Sequence, residues 1–296
     1  MCLDNHIKRK ASSERILFKR AALVNVPGNV VTSDYLLKKE TVMMLQNVAE
    51  NDDTYFVNIT KEKYDKLLSK LPSGKACDIY GCQSDHFKHT SEETNKVMRK
   101  IFNGIISDIN YLSDVFISIS LAKYIFKGKN RNPTLIKSYR RIQVCVLSHK
   151  MVQRLVEDQC TEVVQEQAAS NQWGFRKGVS FLQCPLVRES LTKLAIESRT
   201  PLYCVAADVA SAFSRTNRIC QMFESSAQGE HGKLFLFTTN FFKNTDVILS
   251  CNNQMSARFS EHQGASQGSV RGPGLWAVYS VPMSKSMENA GIGAKY

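Results

Sequence analysis

The sequence has no uninterrupted run of about twenty apolar residues, no Cys-x-x-Cys pair and no apolar leader behind its first methionine, and each gap removes a class of protein. The most apolar stretch, residues 115–126, is about a dozen residues long and holds Lys123, too short and too charged to cross a bilayer. Met1-Cys-Leu-Asp-Asn-His runs directly into Lys8-Arg9-Lys10, without the apolar region and small-residue cleavage site of a signal peptide. Secretion is therefore not expected, and an intracellular site, nuclear or cytoplasmic, is. Nine cysteines form no obvious pairing framework, which fits a reducing compartment. With 15 Gly and 7 Pro the chain is neither collagenous nor low in complexity, and 43% hydrophobic content over 296 residues suffices for the core of one large domain or two modest ones. No Ser-His-Asp order, P-loop or dinucleotide fingerprint occurs.

Acid is also scarce. The chain carries 39 Lys+Arg against 27 Asp+Glu, a formal net charge of +12. Between Asp114 and Glu157 there is no acidic residue, while Lys123, Lys127, Lys129, Arg131, Lys137, Arg140, Arg141, Lys150 and Arg154 all fall there. A surface of one sign concentrates a polyanion and releases its condensed counterions, so nucleic acid is the leading partner, ahead of a membrane headgroup layer. A solvated basic face with no partner explains the charge equally well.

Apolar spacing predicts helices over residues 34–48, 92–110 and 150–169, with Thr60 as the N-cap of another. Residues 1–70 otherwise read as a basic arm with helical pieces. Leu202-Tyr-Cys-Val-Ala-Ala reads as a buried strand that ends in Asp208. A helical stretch is expected over 232–242, and the runs flanking Asn252-Asn253 read as a hairpin. A loop with Gly264, Gly268, Gly272 and Gly274 then leads into a helix from Leu275. Cys77, Cys82, His86 and His89 have spacing that fits neither a zinc finger nor a zinc knuckle.

Five blocks follow one another: Leu71-Pro-Ser-Gly-Lys-Ala-Cys-Asp; Phe126-Lys-Gly-Lys with Ser138-Tyr-Arg-Arg-Ile; Gln172-Trp-Gly-Phe-Arg-Lys-Gly; Ala207-Asp-Val-Ala-Ser-Ala-Phe; and Gly264-Ala-Ser-Gln-Gly-Ser. Over residues 55–296 this succession resembles the reverse transcriptases of non-LTR (LINE-type) retrotransposons. The resemblance implies an α+β right-hand polymerase with an N-terminal extension over 1–70, fingers over 71–200 and an incomplete palm over 201–296, the thumb being absent. It implies RNA-directed DNA synthesis with an RNA template, a DNA primer and deoxynucleoside triphosphates as partners, and no membrane. Two Mg²⁺ or Mn²⁺ ions would lower the pKa of the primer hydroxyl and stabilise the leaving pyrophosphate.

By the same resemblance Asp208 is the catalytic, metal-binding aspartate and the carbonyl of Val209 a second metal donor. Lys127 and Arg140 would grip the triphosphate, as point charge and planar fork. Phe213 would exclude a ribose 2′-hydroxyl, and Gln267 and Gly268 would back the nucleotide and template base. Lys75 and Arg176 would contact nucleic acid.

The likeness stops short of the family's second carboxylate motif, an aromatic-x-Asp-Asp turn, because the chain ends at Gly293-Ala-Lys-Tyr296. This predicts a C-terminal truncation and no polymerisation by these residues alone. It also predicts an unpaired edge on the strand ending at Asp208, with poor solubility. Arg141, Ser214 and Gly272 replace residues usual in the blocks, a Pro, an Asp and a Ser respectively.

Overall fold

The computed structural model describes residues 17–22, 33–50, 52, 58–107, 119–128, 130–167, 172–176, 178–209, 211–243, 245–251, 254–265 and 268–289. Their elements run β1 (Leu17–Ala22), α1 (Ser33–Ala49), α2 (Lys61–Lys70), α3 (Ser84–Lys88), α4 (Glu92–Ser107), β2 (Ile119–Phe126), β3 (Tyr139–Cys145) and α5 (Leu147–Gln167). Then come α6 (Gln183–Glu197), β4 (Tyr203–Asp208), α7 (Ala212–Arg215), α8 (Arg218–Ala227), α9 (Gly232–Lys243), β5 (Asp246–Cys251), β6 (Gln254–Met255), β7 (Phe259–Ser260), α10 (Gly272–Tyr279) and α11 (Val281–Asn289). The class is α+β. Among the described residues no helix is long and apolar enough to cross a membrane.

Residues in Met1–Val30, Ala169–Ala212 and Pro282–Tyr296 group into one compact unit, and those in Val31–Ala168 and Phe213–Val281 into another. In the first, β1 and β4 form a two-stranded parallel sheet whose register runs from Leu17↔Tyr203 to Ala22↔Asp208. β4 ends at Asp208, where the apolar run predicts, but it is not the buried strand expected, since Tyr203 and Val205 are 69% and 65% exposed. β1 pairs with one side of β4, and among the described residues no strand pairs with the other, so β4 keeps one open edge. The sequence conceals β1: Leu-Phe-Lys-Arg-Ala-Ala places two adjacent cations mid-strand and breaks the alternation by which a strand is read.

In the second unit, the sheet order is β3-β2-β5-β6 with β7 also on β5. β2 and β3 form an antiparallel hairpin, and β2 lies parallel to β5. Side chains alternate across a sheet, and Ser120, Ala122, Gln143, Cys145 and Val247 fall on the same, buried face. The expected hairpin around 252–253 is present as the rungs Ser250↔Met255 and Cys251↔Gln254, with the turn itself outside the described residues. β7 returns separately because Ser256 Oγ accepts from Leu249 N–H at 3.0 Å, replacing a ladder partner.

α9 organises the helices. Its four successive apolar residues Leu234, Phe235, Leu236 and Phe237 are all buried and so face more than one side of the helix. Leu234 and Phe237 join the core of Tyr64, Phe102, Ile105 and Met151, whereas Phe235, Leu236 and Phe242 join Val42, Met222 and Leu275. Thr60 caps α2 as its sequence predicts, accepting from Lys63 N–H at 3.3 Å.

Candidate functional site

The Gly-rich segment at 261–272 is fastened to three other parts of the second unit. Ala265 N–H donates to Phe213 C=O at 2.7 Å and Gly264 N–H to Thr216 C=O at 2.8 Å, which joins the Gly block to the Ser-Ala-Phe block. On the β3 side Gln143 Nε2 donates to Glu261 Oε2 at 2.7 Å and Arg141 forms an ion pair with the same carboxylate. Val270 N–H donates to Gln153 Oε1 on α5 at 2.8 Å. Arg141, which departs from the Pro of the resembled block, thus ties β3 to the Gly segment.

Two buried arginines hold this segment from behind. Arg218 donates to the carbonyls of Gly264 and Phe242 at 2.9 Å, of Glu261 at 2.5 Å and of Gln263 at 3.3 Å. Burial presses its pKa down, opposed by Glu261. A guanidinium with five donors can gather several carbonyls of one bend, which no lysine could do with the same geometry. Arg271 pairs with Glu230 and also donates to Thr238 Oγ1, and Glu230 and Arg271 are only 1% and 2% exposed.

Gly268 sits with φ +132°, and a Cβ there would lie 2.1 Å from the Gln143 carbonyl oxygen. Its lack of a side chain therefore serves close approach to β3. Gln267 lies outside the described residues. Phe213 has its ring centroid 5.8 Å from that of Trp276, which in turn lies 5.8 Å from Tyr279. The structure so brings together Phe213, Gly268 and the strand that carries Arg140.

Lys127 and Arg140 lie at the end of the β2–β3 hairpin where the connection between the two strands leaves the sheet. The pairing Ile125↔Arg140 and the Lys127 N–H···O=C Ser138 bond at 2.9 Å put both residues on one face, since opposite residues share a face and alternate ones return to it. Both are exposed. Lys127 Nζ donates to Lys137 C=O at 2.9 Å, and no ion pair engages Lys127 or Arg140 among the described residues. The rings of Phe126 and Tyr139 lie 5.4 Å apart on the opposite face.

Lys75 follows a tight bend that the sequence builds deliberately. Gly74 has φ +66°, which favours glycine, and its N–H donates to Asp85 Oδ2 at 3.0 Å. That bond, together with one to Ser73, holds the Asp85 carboxyl below its ordinary value. Lys88 Nζ donates to Ser73 Oγ at 2.8 Å. Asp78, only 6% exposed, accepts from Tyr80 N–H and Cys82 N–H at 2.9 Å through Oδ1 and from Leu147 N–H at 2.9 Å through Oδ2. One carboxylate thereby closes the loop after α2 and caps the first turn of α5.

In the first unit Arg176 Nη1 donates to Gln172 C=O at 3.3 Å, and Gln172 is buried. Val209 is exposed at the end of β4. Asp208 is placed by its backbone opposite Ala22, and its side chain is outside the described set. Among the described residues no three His, Cys, Asp or Glu side chains converge as a metal site would require.

Reading the sequence missed Asp78, Arg218, Glu230, Glu261 and Arg271. A charged residue about to be buried looks like any surface charge, so no local signal marks it. Asp78 alone gave a hint, standing before Tyr80-Gly81 in a turn-forming context where Asp side chains bond backbone two residues on.

Comparison with known proteins finds 25% identity over 233 residues with the RNA-directed DNA polymerase from mobile element jockey of Drosophila melanogaster, over 76% of this chain and 24% of that protein. The chain thus spans about a quarter of the length of that curated relative. No family model matches it.

Proposed function

We infer from this likeness that the chain is a reverse-transcriptase-like domain of the non-LTR type that binds nucleic acid through its fingers and part of its palm and does not polymerise by itself. The observation that carries the reading is the joining of blocks far apart in sequence: β3 with Arg140, the turn with Phe213 and the loop with Gly268 meet around one fastened segment. Their order along the chain matches the resemblance, and their meeting is what a nucleotide-binding palm and fingers require.

In this reading Lys127 and Arg140, exposed on one hairpin face and without an ion pair among the described residues, receive the triphosphate of an incoming deoxynucleotide. Phe213, braced by Trp276, limits space at the sugar, and Gly268 backs the base pair, a role that the resemblance extends to Gln267. Lys75 and Arg176 meet the phosphate backbone of template or primer. Asp208 and the Val209 carbonyl would hold a Mg²⁺ or Mn²⁺ ion, which when bound supplies activation of the primer hydroxyl. One carboxylate does not fit an ion pair of total charge +4, and no Asp pair follows the Gly-rich block in these 296 residues.

The test is binding of a labelled RNA template annealed to a DNA primer, followed by primer extension with Mg²⁺ or Mn²⁺. Expected are an affinity that falls linearly with the logarithm of salt, no extended product, and binding unchanged in Asp208→Ala. Failure to bind RNA or primer–template at low salt would overturn the reading.

A further inference from the structure

A cavity of about 120 Å³ opens in the second unit between the loop after α2, the end of β3 and the first turns of α5. Its walls hold three cations from two separate segments: Lys75 from the loop, and Lys150 and Arg154 from α5. Lys150 and Arg154 stand four residues apart and so share one helix face. Among the described residues none of the three has an ion pair or hydrogen bond to its side chain.

The one acid in the wall is Asp78, a single carboxylate against three cations. Its two oxygens accept three backbone N–H groups, and among the described residues no ion pair joins it to a lysine or arginine. The remaining lining is apolar or uncharged, including Leu71, Pro72, Val144 and Cys145. Three like charges turned into one concavity repel each other, at a cost that an anion between them would reverse. The loop is built to hold this arrangement: Gly74 and Asp78 fix it at both ends of Lys75 and Asp78 ties it to the helix that bears the other two cations.

We propose that this cavity is a binding site for a single phosphate group, with Lys75, Lys150 and Arg154 as its ligands. The space is ample for several waters and hence for one tetrahedral oxyanion, whose three or four oxygens can meet one planar guanidinium and two mobile ammonium groups. Two sources share this chemistry, an internal phosphodiester of a nucleic-acid strand and a free phosphate. The strand is favoured by the reading of the chain as a nucleic-acid-binding domain, on which this choice of source rests. It also explains Lys150 and Arg154, which the sequence offers only as members of a basic stretch.

The experiment uses the full chain in two arms. In the first, a labelled single-stranded RNA is titrated at several salt concentrations with the unaltered chain, Lys150→Gln/Arg154→Gln, Arg154→Lys and Lys66→Gln, the last being an exposed lysine outside the cavity. The slope of log affinity against log salt is expected to shrink by about 0.7–1 in the double variant, and to hold in Arg154→Lys and Lys66→Gln. In the second, thermal unfolding is followed in sodium phosphate against sodium chloride at matched ionic strength. Protection by phosphate, lost in the double variant, is expected.

Loss of slope identifies the strand as the source. Phosphate protection lost in the double variant, with no RNA binding by any protein, supports the oxyanion site with free phosphate as its source and overturns the reading of the chain as a nucleic-acid binder. A double variant that keeps both the slope and the phosphate protection overturns the site and leaves that reading standing.

Discussion

Asp78→Asn is the perturbation that separates a clamp from a bystander. The carboxylate serves three backbone donors, two on Oδ1 and one on Oδ2. An amide has a single acceptor oxygen. In one orientation it keeps Tyr80 and Cys82 and turns its NH₂ toward Leu147 N–H; in the other it keeps Leu147 and loses the loop. Either way at least one buried donor loses a charged acceptor, worth roughly 1.5–3 kcal/mol, so a loss of about 2 kcal/mol is expected. Asp78→Ala strands all three donors and is expected to cost about 4 kcal/mol, less than the simple sum because the loop relaxes. Urea unfolding gives the totals, and hydrogen exchange at the Leu147 amide gives the local opening, which should rise in both variants. An Asn variant within about 0.5 kcal/mol of the unaltered chain, with Leu147 protection intact, would refute the clamp.

Three further outcomes follow from the same geometry. Gly268→Ala adds a methyl 2.1 Å from the Gln143 carbonyl at a φ of +132°, so stability should fall by about 2–4 kcal/mol, or the 261–272 loop should detach and become sensitive to protease; an alanine chain that melts with the unaltered one contradicts the close approach. Arg271→Met alone leaves Glu230 buried without its partner and should cost about 3–5 kcal/mol, while Arg271→Met combined with Glu230→Leu should cost clearly less, as measured by chemical denaturation. Asp246 accepts from Ser260 Oγ at 2.6 Å and pairs with Arg258, which holds its carboxyl below the ordinary 3.8. A folded pKa below the unfolded one gives stability that is complete above pH 3.8 and lost as pH falls through the folded value. Asp246→Asn should accordingly be less stable at neutral pH and converge with the unaltered chain on acidification, a difference read from pH-dependent unfolding.

Much of this protein is legible one segment at a time. The helix over 33–49, the Thr60 cap, the helix from Glu92, the strand that stops at Asp208 and the hairpin across 252–253 all follow from period, capping and turn residues, because each depends on neighbours within a few positions. The blocks that hold Lys127, Arg140, Phe213 and Gly268 are legible as an ordered succession, and the structure joins three of them through Gln143 of β3 against Gly268 and the Phe213 carbonyl on Ala265. β1 was not legible, since Lys19 and Arg20 interrupt its pattern and only the parallel register with β4 makes it a strand.

What the sequence determined by itself was local conformation, overall charge and the succession of blocks. Tertiary structure decided which charges are sequestered and which are presented. Arg218 and Arg271 disappear into the interior because carbonyls and a carboxylate wait for them there, while Lys75, Lys150 and Arg154 meet at one cavity. A charge is the same letter in either place; only the folded surroundings, which solvate it, pair it or leave it facing its own sign, give it a function.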